Sequence, residues 1–181
     1  MSSIPAALLR SALVFVLFIG DAQAGAWPLW CFYSPVNSED GLTQFKHCAR
    51  RSGNSVELAP EHFKRLDFEG DGLASAHIDG EMYYINRQGK FLHVLTFDNG
   101  ADYFVEGLVR AWVNGKVGYY DTNLEPVIPA IYDWGTPFDQ GRAEVCQGCT
   151  RSPADADGHW AMGGGKWGII DRTGKLVEPL R

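Results

Sequence analysis

The sequence predicts an all-β fold of tandem three-stranded hairpin repeats, stacked as a twisted antiparallel sheet array, with an incomplete propeller as the alternative arrangement. Two observations predict this fold. Gly72, Gly107 and Gly141 lie 35 and 34 residues apart, and the segments after them alternate between two faces as strands do. The chain has 181 residues, of which 45% are hydrophobic, so it can form a folded domain. Its net charge of -6 argues against nucleic acid as a partner.

Further positions repeat with the glycines. A Phe precedes each glycine, and an Asn or Asp ends each second strand. These residues are Phe68, Phe104 and Phe138, and Asn86, Asp121 and Asp171. We therefore assign repeat 1 to 68–103, repeat 2 to 104–137 and repeat 3 to 138–181, with an insertion at 150–163.

Each unit reads as a hairpin followed by a short third strand. In repeat 2 an alternating strand ends at Asn114-Gly115, a dipeptide that favours a two-residue turn. The alternation predicts one apolar face that forms the core and an opposite face at the solvent or the rim. The core face contains Ala74, Ala76, Ile78, Val109, Ala111, Val113, Ala143 and Val145. The opposite face contains Ser75, His77, Arg110, Trp112, Glu144 and Cys146.

Residues 1–24 are predicted to be a signal peptide. Arg10 precedes an apolar run at 11–20 that is too short to span a bilayer, and Ala22 and Ala24 are the small residues that signal peptidase recognises. The mature protein is then expected in the periplasm or outside the cell, without a stable membrane span. Residues 25–67 are assigned as an N-terminal cap. This cap contains either a degenerate repeat ending near Pro60 or a short helix over 60–66.

The four cysteines are expected to form disulfides, because the chain is predicted to be exported. Three pairings are open, and the local pairs Cys31–Cys48 and Cys146–Cys149 are favoured. For the Cys146-Gln-Gly-Cys149 segment, a redox motif and a zinc site with His159 are the weaker alternatives. A redox cysteine belongs at a helix start, whereas a strand precedes Cys146, and zinc needs two further ligands.

Two segments resemble the signature of the WG (KWG) β-repeat family. Residues 166–175 read Lys-Trp-Gly-Ile-Ile-Asp-Arg-Thr-Gly-Lys, and residues 116–121 read Lys-Val-Gly-Tyr-Tyr-Asp. Repeat 1 departs from the pattern, since Met82-Tyr83 stands where the other copies have a residue followed by glycine. The resemblance implies tandem β-hairpin repeats without a common catalytic centre.

No catalytic, cofactor or metal-binding residues are predicted. Asp155 and Asp157 faintly resemble a calcium loop, but Gly164 stands where the last carboxylate ligand is needed. The candidate binding residues are aromatic or arginine, which are the types enriched in protein-binding hot spots. They are Tyr103, Arg110, Trp112, Trp134 and Trp160.

These features predict an exported, non-catalytic protein-binding or scaffold module whose partner is another protein of the cell envelope. A periplasmic inhibitor or immunity protein is a sharper form of this hypothesis. One rival is a small envelope hydrolase, which requires a cleft that joins His77 or His93 to a carboxylate and a nucleophile. The other rival is a carbohydrate-binding module that uses Trp112, Trp134 or Trp160 as a stacking platform.

Overall fold

The computed structural model describes residues 25–53, 55–157 and 159–181, and their regular structure is almost entirely β. The all-β prediction is therefore confirmed. The predicted signal peptide at 1–24 lies outside the described residues. Within the described part of the chain, no helix has the length and apolar character needed to cross a bilayer.

The described residues form seventeen strands and a short helix, α1, at Pro60–Phe63. Proline begins this helix, as the helix interpretation of 60–66 requires. The strands are β1 (Leu29–Tyr33), β2 (Thr43–Ser52), β3 (Ser55–Leu58), β4 (Leu73–Ile78), β5 (Glu81–Asn86), β6 (Phe91–Val94), β7 (Thr96–Phe97), β8 (Gly100–Ala101), β9 (Val109–Val113), β10 (Lys116–Tyr120), β11 (Pro126–Tyr132), β12 (Trp134–Gly135), β13 (Arg142–Gln147), β14 (Thr150–Arg151), β15 (Met162–Gly163), β16 (Lys166–Asp171) and β17 (Leu176–Glu178).

Three-stranded meanders lie side by side in the sheets. A nine-stranded sheet has the order β3-β2-β1-β4-β5-β6-β9-β10-β11, and a four-stranded sheet has the order β12-β13-β16-β17. The first sheet holds the cap meander β1–β3 and the meanders of repeats 1 and 2, and all neighbours in it are antiparallel. Because three units share one continuous, curled sheet, they are not the separate blades of a propeller.

Adjacent repeats are joined by the end of the third strand. In repeat 1, Val94 at the end of β6 pairs with Ala111 of the next unit. In repeat 2, the chain leaves β11 and pairs again as β12, where Trp134 faces Cys146 and Gly135 faces Val145 in β13. In repeats 1 and 2, the third strand thus pairs first with its own unit, and the same stretch of chain then pairs with the next one.

The glycine inside the second strand of a unit leaves space for the backbone of the third strand to cross close to it. A Cβ atom at Gly118 would lie 2.7 Å from both Ala130 N and Ile128 O, because β11 carries a bulge at this point. A Cβ atom at Gly168 would lie 2.8 Å from Glu178 O, at the matching place in repeat 3. A glycine within a strand is typical of such bulges and close approaches.

Repeat 1 has no glycine at this position and also has no crossing. Tyr83 occupies the position, and the third strand β6 pairs with β5 in unbroken register from Met82↔Val94 to Ile85↔Phe91. The third strand of repeat 1 also lacks the proline that repeats 2 and 3 carry at Pro129 and Pro179. The bulge and the glycine are therefore present or absent together.

The apolar face predicted for the first strands does form the core. The residues buried as predicted are Ala74, Ala76, Ile78, Val109, Ala111, Ala143 and Val145. Val113 is 36% exposed, so its assignment to the core was wrong, because it lies at the turn end of β9. On the opposite face Ser75 and Glu144 are exposed as expected, whereas Arg110 and Cys146 are buried.

Both favoured disulfides are present. Cys31 and Cys48 join β1 to β2 with their Cα atoms 6.1 Å apart, and both residues are fully buried. Cys146 and Cys149 close a short loop at the end of β13, with their Cα atoms 6.0 Å apart. The first disulfide fixes the cap meander, and the second fixes the base of the insertion.

Replacing both Cys31 and Cys48 by Ala is expected to lower the free energy of unfolding by about 3 kcal/mol. The bond closes a 17-residue separation and so restricts the unfolded chain, and its loss also leaves space in the buried core. Thermal and denaturant unfolding of the oxidised proteins measure the effect. The matched control is the double replacement of Cys146 and Cys149, whose separation is three residues, and it is expected to cost less. An equal or larger loss in the control would contradict this account.

Candidate binding site

Three of the predicted binding residues converge in space. The ring centroids of Trp112 and Trp134 are 6.3 Å apart, and those of Trp134 and Trp160 are 5.4 Å apart. We call Trp112, Trp134 and Trp160 the tryptophan ladder. The three residues come from β9, from β12 and from the insertion between β14 and β15. The joint between repeats 2 and 3 therefore brings them together.

Backbone pairing and cation–π contacts hold the ladder in place. Trp134 pairs with Cys146, beside the disulfide to Cys149. The guanidinium carbon of Arg151 lies 3.9 Å from the centroid of the Trp160 ring, and Trp160 is 36% exposed. Such contacts stabilise surface aromatic rings by about 0.5–1 kcal/mol each. These contacts favour the observed arrangement of the three rings.

Arg110 lies beneath the ladder and is buried, so the prediction that it faces solvent was wrong. Its Nε and Nη2 donate to the two carboxylate oxygens of Asp102 at 2.8 and 2.7 Å, and its Nη1 donates to the carbonyl of Gly135 at 3.0 Å. Its guanidinium carbon is 5.4 Å from the centroid of the Trp134 ring. Alternation along β9 correctly placed Arg110 on the face opposite Val109 and Ala111. That face is buried here because the next repeat covers it.

Tyr103 lies apart from the ladder. It is 61% exposed and its ring contacts the edge of Phe97, with the centroids 5.5 Å apart. Phe97 belongs to the β7–β8 hairpin and is itself 50% exposed. Tyr103 therefore contributes to a separate aromatic patch.

A cleft of about 660 Å³ lies beside Trp112, and we call it the Trp112 cleft. Arg51, Glu81, Tyr83 and His93 line it together with Trp112. Glu81 Oε2 accepts a hydrogen bond from the Tyr83 hydroxyl at 2.5 Å and another from Arg51 Nη2 at 2.9 Å. The Tyr83 and His93 rings lie side by side, with their centroids 5.3 Å apart. The cleft thus combines an ordered polar network with aromatic walls.

The environment of the cleft shifts the pKa values of three of its residues. Burial lowers the pKa of His93, so its imidazole is neutral at pH 7. Burial and the hydrogen bond to Glu81 raise the pKa of Tyr83, so its hydroxyl stays protonated. Burial opposes the ionisation of Glu81, but the hydrogen bonds from Tyr83 and Arg51 outweigh it and hold its pKa below the usual value. At neutral pH the cleft therefore presents one carboxylate, one guanidinium and neutral polar groups.

Among the residues that the structure describes, the cleft does not assemble the contacts of a serine hydrolase. Ser55 lines it, but its hydroxyl donates to the carbonyl of Ser52 at 2.8 Å. His77 lies in a different depression, where its ring is 5.9 Å from that of Phe32. The cleft brings His93 close to the Glu81 carboxylate and to Tyr83. In the described part of the chain, no hydrogen bond there joins a nucleophile to a base, as covalent catalysis requires.

Residues 118–148 match the family described as WG containing repeat. The matched segment begins at the close-crossing Gly118 and runs through β11 and β12 to the end of β13. This segment of the chain is therefore a WG repeat. No curated protein and no solved structure matches it.

The matched segment contains the Trp134-Gly135 dipeptide that joins repeats 2 and 3. The ring of Tyr119 passes over the bare backbone of Gly135, and its hydroxyl donates to the carbonyl of Thr136 at 2.8 Å. The repeat therefore uses glycine twice, once where β11 crosses its own unit and once where Tyr119 meets the next.

The insertion at 150–163 contains a cluster of possible metal ligands. Ligand atoms of Asp155, Asp157 and His159 lie within 4.8 Å of one another, and all three residues are exposed. Asp155 Oδ1 accepts backbone hydrogen bonds from Asp157 and His159 at 3.0 and 2.8 Å. These bonds are typical of an aspartate that stabilises a tight turn, so the turn accounts for the cluster.

Sequence reasoning missed the Trp112 cleft. Its polar residues come from β2, β5 and β6, and the chain separates them widely. One signal was present in the sequence: Tyr83 takes the place of the repeat glycine, and a residue that breaks a structural pattern is a candidate for function.

Proposed function

We propose that this protein, which contains a WG repeat, is an exported, non-catalytic module that binds another protein through the tryptophan ladder. The convergence of Trp112, Trp134 and Trp160 supports the proposal, because aromatic residues held in a fixed arrangement dominate the energy of protein interfaces. Export is supported by the two disulfides, since such bonds persist in oxidising compartments. An inhibitor or immunity protein of the periplasm is the specific form we favour.

The ring geometry favours a protein over a flat sugar chain at this surface. The planes of Trp112 and Trp134 meet at 49°, and those of Trp134 and Trp160 meet at 82°. A row of sugar rings stacks best on coplanar aromatic faces, whereas protein side chains pack against edges as well as faces. The order that Arg110 and Arg151 give to the ladder also reduces the entropy lost on binding.

Trp160→Ala is expected to weaken binding to the partner about 30-fold, the effect of losing a hot-spot residue worth about 2 kcal/mol. The wild-type protein is immobilised, the captured partner is purified from periplasmic extract, and its affinity is then measured for each variant. The matched control is Trp30→Ala, since Trp30 is also exposed, at 48%, and also contacts a cation, Lys46. A partner that binds the Trp160 variant as tightly as the wild type would refute the assignment of this surface.

A further inference from the structure

The Trp112 cleft has groups available for a ligand that both donates and accepts hydrogen bonds. Within the described residues, Glu81 uses only Oε2 as an acceptor and Arg51 uses only Nη2 as a donor. Glu81 Oε1 and Arg51 Nε and Nη1 are therefore available to a bound molecule. Since Glu81 and Arg51 also orient each other, their positions are fixed before the ligand arrives.

The charges in the cleft favour an uncharged ligand. Arg51 forms ion pairs with both Glu81 and Asp79, at 2.9 and 3.2 Å, so its charge is already balanced. An anion would meet the Glu81 carboxylate, and a cation would meet the Arg51 guanidinium. A purely apolar ligand would leave both charged groups without water, which costs free energy.

The aromatic walls select among uncharged polar ligands. Trp112, Phe91 and His93 are half-buried residues of the cleft lining, and Tyr83 lies beneath them with 5% of its surface exposed. The Tyr83 and Phe91 centroids are 6.3 Å apart. A sugar presents C–H groups on its ring faces and hydroxyl groups around its edge. It can therefore pack against aromatic rings while its hydroxyls bond to Glu81 and Arg51. The cleft volume of about 660 Å³ is within the range of small-molecule sites.

We propose that the Trp112 cleft binds a short, uncharged saccharide, with Glu81 and Arg51 bonding to its hydroxyls and Trp112 packing against a ring face. This inference goes beyond the proposed function, because the cleft and the tryptophan ladder share only Trp112. The same chain would then hold a glycan and a protein at neighbouring sites.

The test is saturation-transfer NMR on the intact mature protein with cellobiose, maltose and chitobiose, followed by titration of the best ligand. Inorganic phosphate and triglycine are the anionic and peptide probes. We expect at least one disaccharide to bind with a dissociation constant in the micromolar to millimolar range. Glu81→Gln, which keeps an acceptor for Tyr83, and Trp112→Ala are each expected to weaken binding about tenfold.

The matched control is Trp30→Ala, which removes an exposed ring outside both the cleft and the ladder and is expected to leave saccharide binding unchanged. The absence of binding by every disaccharide would overturn the proposal, as would tighter binding of phosphate or triglycine. Binding that survives both Glu81→Gln and Trp112→Ala would place the saccharide elsewhere and also overturn it. None of these outcomes bears on the ladder, because partner binding is measured separately through Trp160→Ala and Trp30→Ala.

Discussion

Asp102→Ala is expected to lower the free energy of unfolding by about 3–5 kcal/mol, the cost of leaving a buried charge without its partner. The side chains of Arg110 and Asp102 are only 7% and 3% exposed and form a two-point ion pair. Removing the carboxylate would leave the Arg110 guanidinium buried with Gly135 O as its remaining hydrogen-bond acceptor. Denaturant unfolding followed by tryptophan fluorescence measures the loss, and the Trp134 environment is expected to change with it.

The matched control is Glu57→Ala, which removes the carboxylate of an exposed pair. The side chains of Arg50 and Glu57 are 46% and 41% exposed, so water screens the pair and this substitution is expected to change the free energy of unfolding far less than Asp102→Ala does. The double variant Asp102→Ala with Arg110→Leu is expected to be less destabilised than the sum of its two single variants, because it leaves no buried charge. Equal losses for Asp102→Ala and Glu57→Ala would show that burial does not control the energy of the Arg110 pair.

Gly118→Ala is expected to lower the free energy of unfolding by about 2–3 kcal/mol, because the added methyl group has no space. The new Cβ would lie 2.7 Å from Ala130 N and Ile128 O, and these backbone atoms cannot move unless the β11 bulge moves with them. Gly168→Ala repeats the test in another unit, since its Cβ would lie 2.8 Å from Glu178 O. Thermal and denaturant unfolding of both variants measure the effect.

The control for this prediction is Gly163→Ala, since a Cβ at Gly163 meets no atom within 4 Å and its backbone does not require positive φ. Here alanine is expected to be neutral or slightly stabilising, because it restricts the unfolded chain. If Gly118→Ala were as stable as Gly163→Ala, the close crossing would not explain why the repeat has a glycine within its second strand.

The repeat units were predictable because their determinants are local. Asn114-Gly115 favours a tight turn wherever it occurs, and both of its residues do adopt positive φ. Alternation then assigned Val109 and Ala111 to the buried face. Both disulfides were also predictable, since each pairs cysteines that are close along the chain.

The site was predictable only in part. Trp112, Trp134 and Trp160 were candidates because of their residue type, but no sequence pattern placed them side by side. Arg110 was assigned to solvent because alternation gives the face of a residue and does not reveal what covers that face. The partner that balances it, Asp102, lies in the connection between repeats 1 and 2, where the periodic pattern gives no information.

Local sequence was enough to predict that this protein is built from β-hairpins and that the apolar side chains of the first strands face the core. These properties follow from backbone preferences and from the burial of apolar side chains over a few residues. The bend of the third strand into the next unit could be found only from the folded protein, and that bend buries Arg110 and brings the three tryptophans together. The bend depends on contacts between atoms far apart in the chain, such as Gly135 beneath Tyr119, and a sequence pattern does not record these contacts.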